Sequence, residues 1–261
     1  MEKKDIKKVE LDILIEIKRI CDFYNIEFFL IGGSFLGAIR HKGFISWDDD
    51  IDIGMTRGNY EKFIQVSSKE FTGKIKVQNY YSDNTYPLSF LKVLNTAYKV
   101  KENRSRNKDS LNGIFVDVFP FDRMPKSTIR RKIQIFRFKF LNSYIEYELG
   151  WRSKNFKNEM ISFLINIFSN KKITFFVKKR DKIMREYNKQ KKFDYYNIPS
   201  QYGPEKEVIK EKEMNKMKQI TFENIKLNIP EAYDKILTRQ YGNYMIPPKP
   251  EERNAKHLNL K

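Results

Sequence analysis

The chain has 261 residues, of which 40% are hydrophobic and 15% aromatic, which is enough to bury a sizeable core and argues against disorder despite 32% charged residues. A single cysteine, Cys21, excludes an intramolecular disulfide and a cysteine-rich zinc site, and it favours a reducing compartment. We expect neither a signal peptide nor a membrane span, because no uncharged apolar run reaches the roughly 18 to 20 residues that cross a bilayer.

The formal net charge of +18 is concentrated in one stretch of the chain. Residues 123–192 hold 20 lysines and arginines against five acidic residues, a net charge of +15. A field this localised indicates an anionic partner, which would be membrane lipid, nucleic acid or a phosphorylated substrate. A basic bias of the whole proteome is the alternative, but such a bias should spread the charge along the chain.

The first 122 residues alternate between helical and extended patterns. Apolar residues three or four apart predict amphipathic helices, and short aromatic or β-branched runs closed by glycine or proline predict strands. Ser34 is placed to cap the second helix. The predicted helices cover residues 5–24, 34–41 and 57–70, and the predicted strands cover residues 27–31, 51–55, 75–79, 88–94 and 114–119, the last ending at Pro120.

Residues 123–192 differ from the rest of the chain in composition and in the pattern of apolar and basic residues. An apolar helical stripe from Ile129 to Tyr147 is studded with arginine and lysine, and a second apolar segment, residues 160–168, is followed by two basic clusters. We therefore expect an α/β (α+β) fold with a mixed sheet core flanked by helices. Its predicted parts are a core over residues 1–122, a basic amphipathic helical insertion over residues 123–192 and a segment over residues 193–261 that completes the core.

The most informative run is Trp47-Asp48-Asp49-Asp50-Ile51-Asp52-Ile53. Side chains alternate between two faces in a strand, so Asp50 and Asp52 would point one way while the isoleucines point into the core. Two carboxylates one pleat apart repel each other unless a cation lies between them. Such hard oxygen ligands suit Mg²⁺ or Mn²⁺.

A second signal, Gly32-Gly33-Ser34, lies upstream where a strand meets a helix. Backbone N–H groups and the helix dipole at such a junction favour a phosphate. Each signal has an ordinary alternative: a glycine pair is commonly a turn, and an acidic run is commonly a solvated loop, a helix cap or part of a calcium loop. The residues after the acidic run do not have the spacing of an EF-hand calcium loop. The glycine pair and the acidic run together therefore favour a phosphate and metal site.

A third carboxylate comes from residues 114–119, in which Asp117 is the lone charge of an apolar run. A charge there is costly to bury unless it is paired or bound to a metal. We favour a metal ligand or general base, and a strand-end cap or salt bridge is the alternative. Asp50, Asp52 and Asp117 are thus the predicted catalytic and metal-ligating residues.

Residues 33–53 resemble the signature of the LicD family of choline-phosphate and phosphopolyol transferases, which are related to fukutin and fukutin-related protein. Residues 113–122, with their Asp-Val-Phe-Pro sequence, and residues 241–257, which contain Tyr-Gly-Asn-Tyr-Met, a proline pair and His257, are similar to further segments of that family. Ser46 and Phe35 depart from the usual proline and leucine, and one cysteine does not support the zinc-binding insertion of the animal relatives.

The resemblance implies a nucleotidyltransferase-like fold, with residues 1–122 as the catalytic core. It also implies transfer of phosphocholine, or a related phosphopolyol, from a CDP-activated donor to a hydroxyl of a cell-surface glycan, such as teichoic acid, capsule or a lipid-linked saccharide. Mg²⁺ or Mn²⁺ on Asp50, Asp52 and Asp117 would stabilise the leaving nucleotide, and Asp117 or a neighbouring carboxylate could take the acceptor's proton. The alternative activity is a nucleotidyltransferase that leaves an NMP on a small molecule or RNA.

Three basic side chains are further candidates for binding the substrate. Arg40 could make a bidentate phosphate contact. His41 is either a phosphate contact or a partner of the acidic loop. Lys92, alone in a predicted apolar strand, is either a phosphate ligand or an edge lysine that snorkels to solvent.

The acidic run supplies the remaining candidates. Asp48 and Asp49 would orient Arg40 or bind a second metal, and Trp47 could help to box a quaternary ammonium. The full set of predicted substrate-binding or nucleotide-binding residues is Gly32, Gly33, Ser34, Arg40, His41, Trp47, Asp48, Asp49, Lys92 and His257.

The basic insertion suits the surface of an anionic membrane, where a lipid-linked acceptor would lie. The alternative is a pair of ordinary core helices with solvated lysines. No recognisable nucleic-acid-binding module accompanies the charge, so we expect no nucleic-acid partner. The expected location is cytoplasmic and peripheral, on the inner face of the cell membrane.

Overall fold

The computed structural model describes residues 3–102, 110–152, 155–169, 171–200, 202–253 and 258–259. The helices are α1 (Lys3–Phe23), α2 (Gly32–Arg40), α3 (Arg57–Glu70), α4 (Thr128–Glu148), α5 (Phe156–Phe168), α6 (Ile173–Met184), α7 (Glu211–Met214) and α8 (Tyr233–Tyr241). The strands are β1 (Phe29–Leu30), β2 (Asp52–Thr56), β3 (Ile75–Gln78), β4 (Leu91–Asn95), β5 (Lys101–Glu102), β6 (Ile114–Met124), β7 (Asp194–Tyr196), β8 (Val208–Lys210), β9 (Met217–Phe222), β10 (Ile225–Pro230) and β11 (Leu258–Asn259).

The main sheet is mixed, in the order β1-β2-β6-β4-β3, and β7 and β8 extend it from the far end of β6. β2 and β6 are parallel, whereas the other neighbours in this sheet are antiparallel. β9 and β10 form a hairpin that packs on α2 and β1, and β5 pairs with β11. The predicted fold class, a mixed sheet flanked by helices, is confirmed.

The principal core lies between the sheet and α1, which packs against β4, β6 and α3. Ile13, Ile17 and Ile20 of α1 are fully buried, as their spacing of three or four residues predicts, and Leu14 beside them is buried as well. Each such side chain contributes roughly 1.5 to 3 kcal/mol when it leaves water. α1 and the sheet form this core together. The start of β2, where the carboxylates lie, is therefore supported by closely packed side chains.

Most predicted elements of the core occur close to their expected bounds. The helix predicted over residues 57–70 matches α3 at both ends, whereas β1 is only two residues long. The prediction that Ser34 caps a helix is wrong, because α2 begins two residues earlier with Ile31 as its N-cap. The Ser34 hydroxyl instead accepts a hydrogen bond from the Asp52 amide at 2.9 Å, which ties α2 to the start of β2.

The prediction that Pro120 ends a strand is also wrong, since β6 continues through it to Met124. The amide of Asp117 donates toward β2, to the carbonyl of Ile51 at 2.9 Å. Amides alternate along a strand, so position 120 faces the opposite side, where pairing with β4 has already ended at Val118. Proline's missing N–H therefore leaves no ladder bond unmade.

Helices α4, α5 and α6 surround a second apolar cluster. Residues from α4 and α6 meet there with Met124, Tyr196, Ile198 and Val208, which come from β6 and from the β7–β8 region. Arg180 of α6 is almost fully buried and donates hydrogen bonds to the carbonyls of Pro87 and Leu88, which precede β4. The predicted insertion is thus anchored to the sheet, and its proposed boundaries stay a prediction. Among the described residues, no helix has the combination of length and apolar content that crossing a bilayer requires.

A buried ion pair joins α3 to the end of β6. The Arg57 guanidinium donates to both carboxylate oxygens of Asp122, at 2.8 and 2.6 Å, and Asn188 donates to the same carboxylate at 2.6 Å. Asp122 is 0% exposed. Although Asp122 lies on the same strand as Asp117, its carboxylate is already engaged, so we assign it a structural role.

We expect Arg57→Ala to lower the free energy of unfolding by about 3 to 5 kcal/mol, because it leaves the Asp122 carboxylate buried without its counter-charge. The matched control is Arg137→Ala, which removes the surface pair between Arg137 and Glu186, whose side chains are 44% and 35% exposed. That change should cost less than about 1 kcal/mol. Urea unfolding followed by circular dichroism measures both values, and equal losses would contradict the structural role of Asp122.

Candidate active site

Three charged side chains form a row across the centre of the sheet. The parallel pairing of β2 with β6 places Asp52 opposite Asp117, and the antiparallel pairing of β4 with β6 places Lys92 opposite Asp117. Directly paired residues share one face of a sheet, so the three side chains project together. The register therefore brings together two of the three predicted metal ligands, from segments more than 60 residues apart.

Lys92 is 3% exposed, with its Nζ atom 4.0 Å from Asp117 Oδ1 and 3.3 Å from the centroid of the Phe115 ring. The alternative of an edge lysine that snorkels to solvent is wrong, because β4 lies between β6 and β3. The described residues that line the two cavities at the site do not include Lys92. Its predicted phosphate contact stays a prediction, and its observed neighbour is Asp117.

The acidic loop before β2 adds three carboxylates. Ligand oxygens of Asp48, Asp49 and Asp50 lie within 4.8 Å of one another. Asp49 is buried, whereas Asp48 and Asp50 are half-buried. Ile51 is fully buried, as the alternation of acids and isoleucines predicts. This loop supplies Asp50 to the same cavities that Asp52 lines.

Burial and mutual repulsion disfavour the ionised carboxylates. Burial raises the pKa of Asp50 well above its ordinary value, and the charges of Asp48 and Asp117 raise it further. The pKa of Asp52 is raised in the same way by burial and then by Asp50 and Asp117. A divalent cation among these oxygens would remove that cost.

The residues present therefore fit Mg²⁺ or Mn²⁺. Asp50, Asp52 and Asp117 come from three segments, converge on one cavity of about 80 Å³ and are hard oxygen ligands of the kind that these ions prefer. Asp48 and Asp49 lie beside Asp50, and their predicted role at a second metal is not decided by this arrangement. The roles of all five residues stay predictions.

The glycine pair at the start of α2 allows two carboxylates to approach the helix terminus. Gly32 has a φ of +54°, a backbone conformation that side chains disfavour, and a Cβ atom there would lie 3.3 Å from Asp52 Oδ2. A Cβ atom on Gly33 would lie 2.5 Å from Asp48 Oδ2, closer than real contacts allow. The glycine pair therefore leaves room for these carboxylates beside α2, and Gly32 also has a backbone conformation that favours glycine.

A larger cavity of about 450 Å³ opens on the other side of Asp50 and Asp52. Gly33 and Arg40 line it from α2, and its aromatic wall consists of Trp47, Tyr202, Tyr241 and Tyr244. The Arg40 guanidinium donates to the Tyr244 carbonyl at 2.8 Å and lies 5.8 Å from the Trp47 ring. Burial lowers the pKa of Arg40. This cavity combines a cation with aromatic rings, a combination that suits a nucleotide.

His41 is exposed, and its ring meets Trp47 edge-on at 6.0 Å between centroids. Its Nδ1 atom accepts a hydrogen bond from Arg40 Nε at 3.4 Å. Partial burial and then the Arg40 charge lower its pKa, so the neutral imidazole is favoured at pH 7. Both alternatives for His41 stay predictions. The other predicted histidine, His257, lies outside the described residues.

The smaller cavity has an aromatic and acidic lining. The rings of Phe90 and Phe119 stack there with centroids 4.1 Å apart, and Tyr202 completes the aromatic surface. Glu207 is 5% exposed and accepts a hydrogen bond from Asn197 Nδ2 at 2.7 Å. Burial raises the pKa of Glu207 and, with the nearby charge of Asp52, raises that of Tyr202 to about 12.

Comparison with known proteins identifies the family. Residues 25–152 match the profile described as LicD/FKTN/FKRP, nucleotidyltransferase domain. The chain is also 27% identical over 266 residues to the lipopolysaccharide cholinephosphotransferase LicD of Haemophilus influenzae, a match that covers 95% of this chain and 93% of that protein. The chain belongs to the LicD family.

A short stretch also matches an uncharacterized protein of Rickettsia typhi, with 43% identity over 42 residues, 16% of this chain and 14% of that protein. At family level the chain is a phosphotransferase, which confirms the predicted class of reaction. The LicD profile spans both carboxylate segments, from the glycine pair through Asp117.

Sequence reasoning missed several residues that line the candidate site. Glu207, Tyr202 and Phe90 reach the small cavity from loops, and Phe119 reaches it from the middle of β6. None of the four carries a local sequence signal for a site. Glu10 of α1 is different, because it occupies a position on the apolar stripe of that helix. It is 0% exposed, and neither of its carboxylate oxygens has a hydrogen-bond partner among the described residues. Burial, followed by the charges of Asp50 and Asp49, raises the pKa of Glu10, which places it near the acidic loop.

Without divalent cations, we expect the protein to lose stability as the pH rises above about 4, the ordinary pKa of a carboxyl. Because Asp50 and Asp52 have raised pKa values in the folded state, the folded protein binds more protons than the unfolded chain, and their ionisation disfavours folding. Mg²⁺ should offset this loss, by about 2.7 kcal/mol at 100 times its dissociation constant. Thermal unfolding measured at steps of about one pH unit between pH 5 and pH 8, with and without Mg²⁺, tests both expectations.

The matched variant is Asp52→Asn. Its unfolding temperature should depend less on pH than that of the wild type, because one repelling charge is gone. Mg²⁺ should also raise that temperature by less, because one ligand is gone. A full Mg²⁺ response in Asp52→Asn would show that the ion binds elsewhere.

Proposed function

We propose that this chain transfers phosphocholine, or a related phosphopolyol, from a CDP-activated donor to a hydroxyl of a cell-surface glycan, such as teichoic acid, capsule or a lipid-linked saccharide. One observation carries the proposal: Asp50 and Asp52 lie at the boundary of two cavities, with Asp117 opposite Asp52 in the sheet. The relative that matches nearly the whole chain is named a lipopolysaccharide cholinephosphotransferase, which supports this substrate class.

In the proposed reaction, the acceptor oxygen attacks the phosphorus that carries the choline or polyol. A new P–O bond forms to the acceptor as the P–O bond to the CMP phosphate breaks, and CMP leaves with the bonding electrons. The acceptor's proton passes to Asp117 or a neighbouring carboxylate. Asp50, Asp52 and Asp117 would hold Mg²⁺ or Mn²⁺, which when bound neutralises charge on the pyrophosphate.

The large cavity is the better place for the CMP half of the donor. Its volume of about 450 Å³ accommodates a nucleotide, and its aromatic wall gives the base a surface on which to stack. Arg40 and the amino end of α2 supply positive charge for the phosphate. The scissile pyrophosphate would then lie beside Asp50 and Asp52.

Incubation with CDP-choline, Mg²⁺ and a glycan acceptor should release CMP. We expect Asp50→Asn and Asp52→Asn each to lower kcat by roughly 10²-fold or more, the scale seen when a group that stabilises transition-state charge is removed. The matched control is Asp12→Asn, which changes an exposed carboxylate of α1 and should leave the rate unchanged. Chromatography of the nucleotide product measures the rate. CMP attached to the acceptor, rather than free in solution, would favour the alternative nucleotidyltransferase.

We also propose that the protein works at the cytoplasmic face of an anionic membrane. On α5, Phe156, Met160, Phe163 and Ile167 recur at helical spacing and are 45% to 82% exposed. α4 presents a similar exposed row of Ile129, Ile133 and Phe136, while its other face packs in the core. Uncovered apolar rows among many lysines and arginines suit the interface of a bilayer that contains acidic lipid.

Sedimentation with vesicles that contain phosphatidylglycerol tests the membrane proposal. The double change Phe163→Ser and Ile167→Ser should reduce binding by about tenfold or more, because two apolar side chains no longer enter the bilayer. Phe23→Ser is the matched control, since Phe23 is 72% exposed but lies on α1. Binding should weaken at high salt. Equal binding by both variants would reject this surface as the membrane contact.

A further inference from the structure

The two cavities at the site share Asp50, Asp52 and Tyr202, yet the rest of their linings differ in charge. Beyond the shared residues, the charged residues that line the large cavity are Arg40 and Asp48. Those of the small cavity are Asp117 and Glu207, and the described residues that line it include neither lysine nor arginine. A donor that crosses the shared carboxylates would therefore place one end beside a guanidinium and the other among carboxylates alone.

The small cavity has the composition that recognises a quaternary ammonium. Such cations bind over aromatic faces and gain further from a nearby carboxylate. Phe90 and Phe119 stack at 4.1 Å with their planes 29° apart, and Tyr202 also lines the cavity. Glu207 is buried and accepts a hydrogen bond from the Asn197 amide, which is neutral. Burial by itself raises the pKa of Glu207, so a cation bound beside it would favour its ionised form and be bound more tightly for that reason.

On the basis of the proposed function, we propose that the small cavity binds the trimethylammonium end of the transferred phosphocholine. Its aromatic surface would consist of Phe90, Phe119 and Tyr202, and its counter-charge would be Glu207. An uncharged polyol gains nothing from a counter-charge and little from aromatic faces. The cavity therefore selects a choline donor over glycerol and ribitol donors, a choice that the family alone leaves open.

The aromatic wall of the large cavity is less suited to that cation. The Trp47 ring already has the guanidinium of Arg253 at 4.6 Å and that of Arg40 at 5.8 Å. A third cation would be repelled by these two guanidinium groups, whereas phosphate and a nucleotide base would be favoured. In the small cavity a metal ion on Asp50, Asp52 and Asp117 would be balanced by those three carboxylates, which leaves Glu207 as the counter-charge of the ammonium. The two ends of the donor are thus assigned to different cavities by charge.

The test compares donors as well as variants. CMP release is measured with CDP-choline and CDP-glycerol for the wild type, Glu207→Gln, Glu207→Asp and Phe119→Leu. We expect Glu207→Gln to lower the ratio of the two kcat/KM values, choline over glycerol, by about tenfold or more, chiefly through KM for CDP-choline. Phe119→Leu should lower this ratio by roughly threefold to thirtyfold. Glu207→Asp, which keeps the charge, should restore part of it. Glu205→Gln, an exposed neighbour, is the control and should leave the ratio unchanged.

Glu207 also holds Asn197, so a purely structural role must be separable. Equal losses with both donors would mean that Glu207 anchors its loop and would overturn the proposal. A loss of choline preference in Trp47→Leu, with none in Glu207→Gln, would place the cation in the large cavity and overturn it as well.

Calorimetric titration with phosphocholine and with glycerol phosphate separates this proposal from the proposed function. A wild-type protein that releases no CMP from any CDP donor, yet binds phosphocholine in a manner that depends on Glu207, would refute the transfer reaction and support the cavity. Turnover of CDP-choline with no dependence on Glu207 or Phe119 would support the reaction and refute the cavity.

Discussion

The parallel pairing of β2 with β6, in the register that sets Asp52 against Asp117, is the constraint on which the site depends. A slip of one residue would turn Asp52 to the opposite face of the sheet and bury it in the core. The two carboxylates themselves oppose this register, since each disfavours the charge of the other. The apolar residues between them impose it. Ile51, Ile53, Val116 and Val118 are fully buried, and at roughly 1.5 to 3 kcal/mol each they outweigh the repulsion.

The insertion contributes to the site although it lies far from the carboxylates in sequence. Its apolar cluster includes Tyr196, Ile198 and Val208, which flank the segment that carries Tyr202 and Glu207. The buried pair of Arg57 and Asp122 fixes the adjoining end of β6. A helical unit with an exposed apolar surface is therefore packed against the same segment that completes the small cavity. That arrangement would keep the site close to a membrane surface when α4 and α5 are bound there.

The distribution of charge in the molecule is uneven in a way that fits the chemistry. The chain carries a net charge of +18, but carboxylates crowd the centre of the site. A basic exterior raises the local concentration of an anionic donor. In the proposed reaction, a cation at the acidic centre would reduce its repulsion of the donor's phosphates, so donor and metal would bind most favourably together. Arg40, in the large cavity, is a fixed positive charge beside that centre.

Local pattern determined a large part of this protein. The spacing of apolar residues located α1 and α3, and the alternation of acids with isoleucines placed Ile51 and Ile53 in the core with Asp50 and Asp52 away from it. The lone charge of Asp117 in an apolar strand was visible for the same reason, because burial makes such a charge costly. These features depend on the period of a helix or a strand, which neighbouring residues set by themselves.

Tertiary structure decided what depends on pairing between distant segments. Lys92 could be a phosphate ligand or an edge lysine from its sequence, and only the position of β4 between β6 and β3 excluded the edge. Pro120 was predicted to end a strand, but the side that its missing amide would face is unpaired, so the strand continues. Glu207 and Tyr202 carried no signal, because their meeting with Asp52 is created by the packing of a loop and not by any local period. The sequence by itself therefore determined which residues could form the acidic centre, and only the register of the sheet and the packing of the later segments decided what surrounds it.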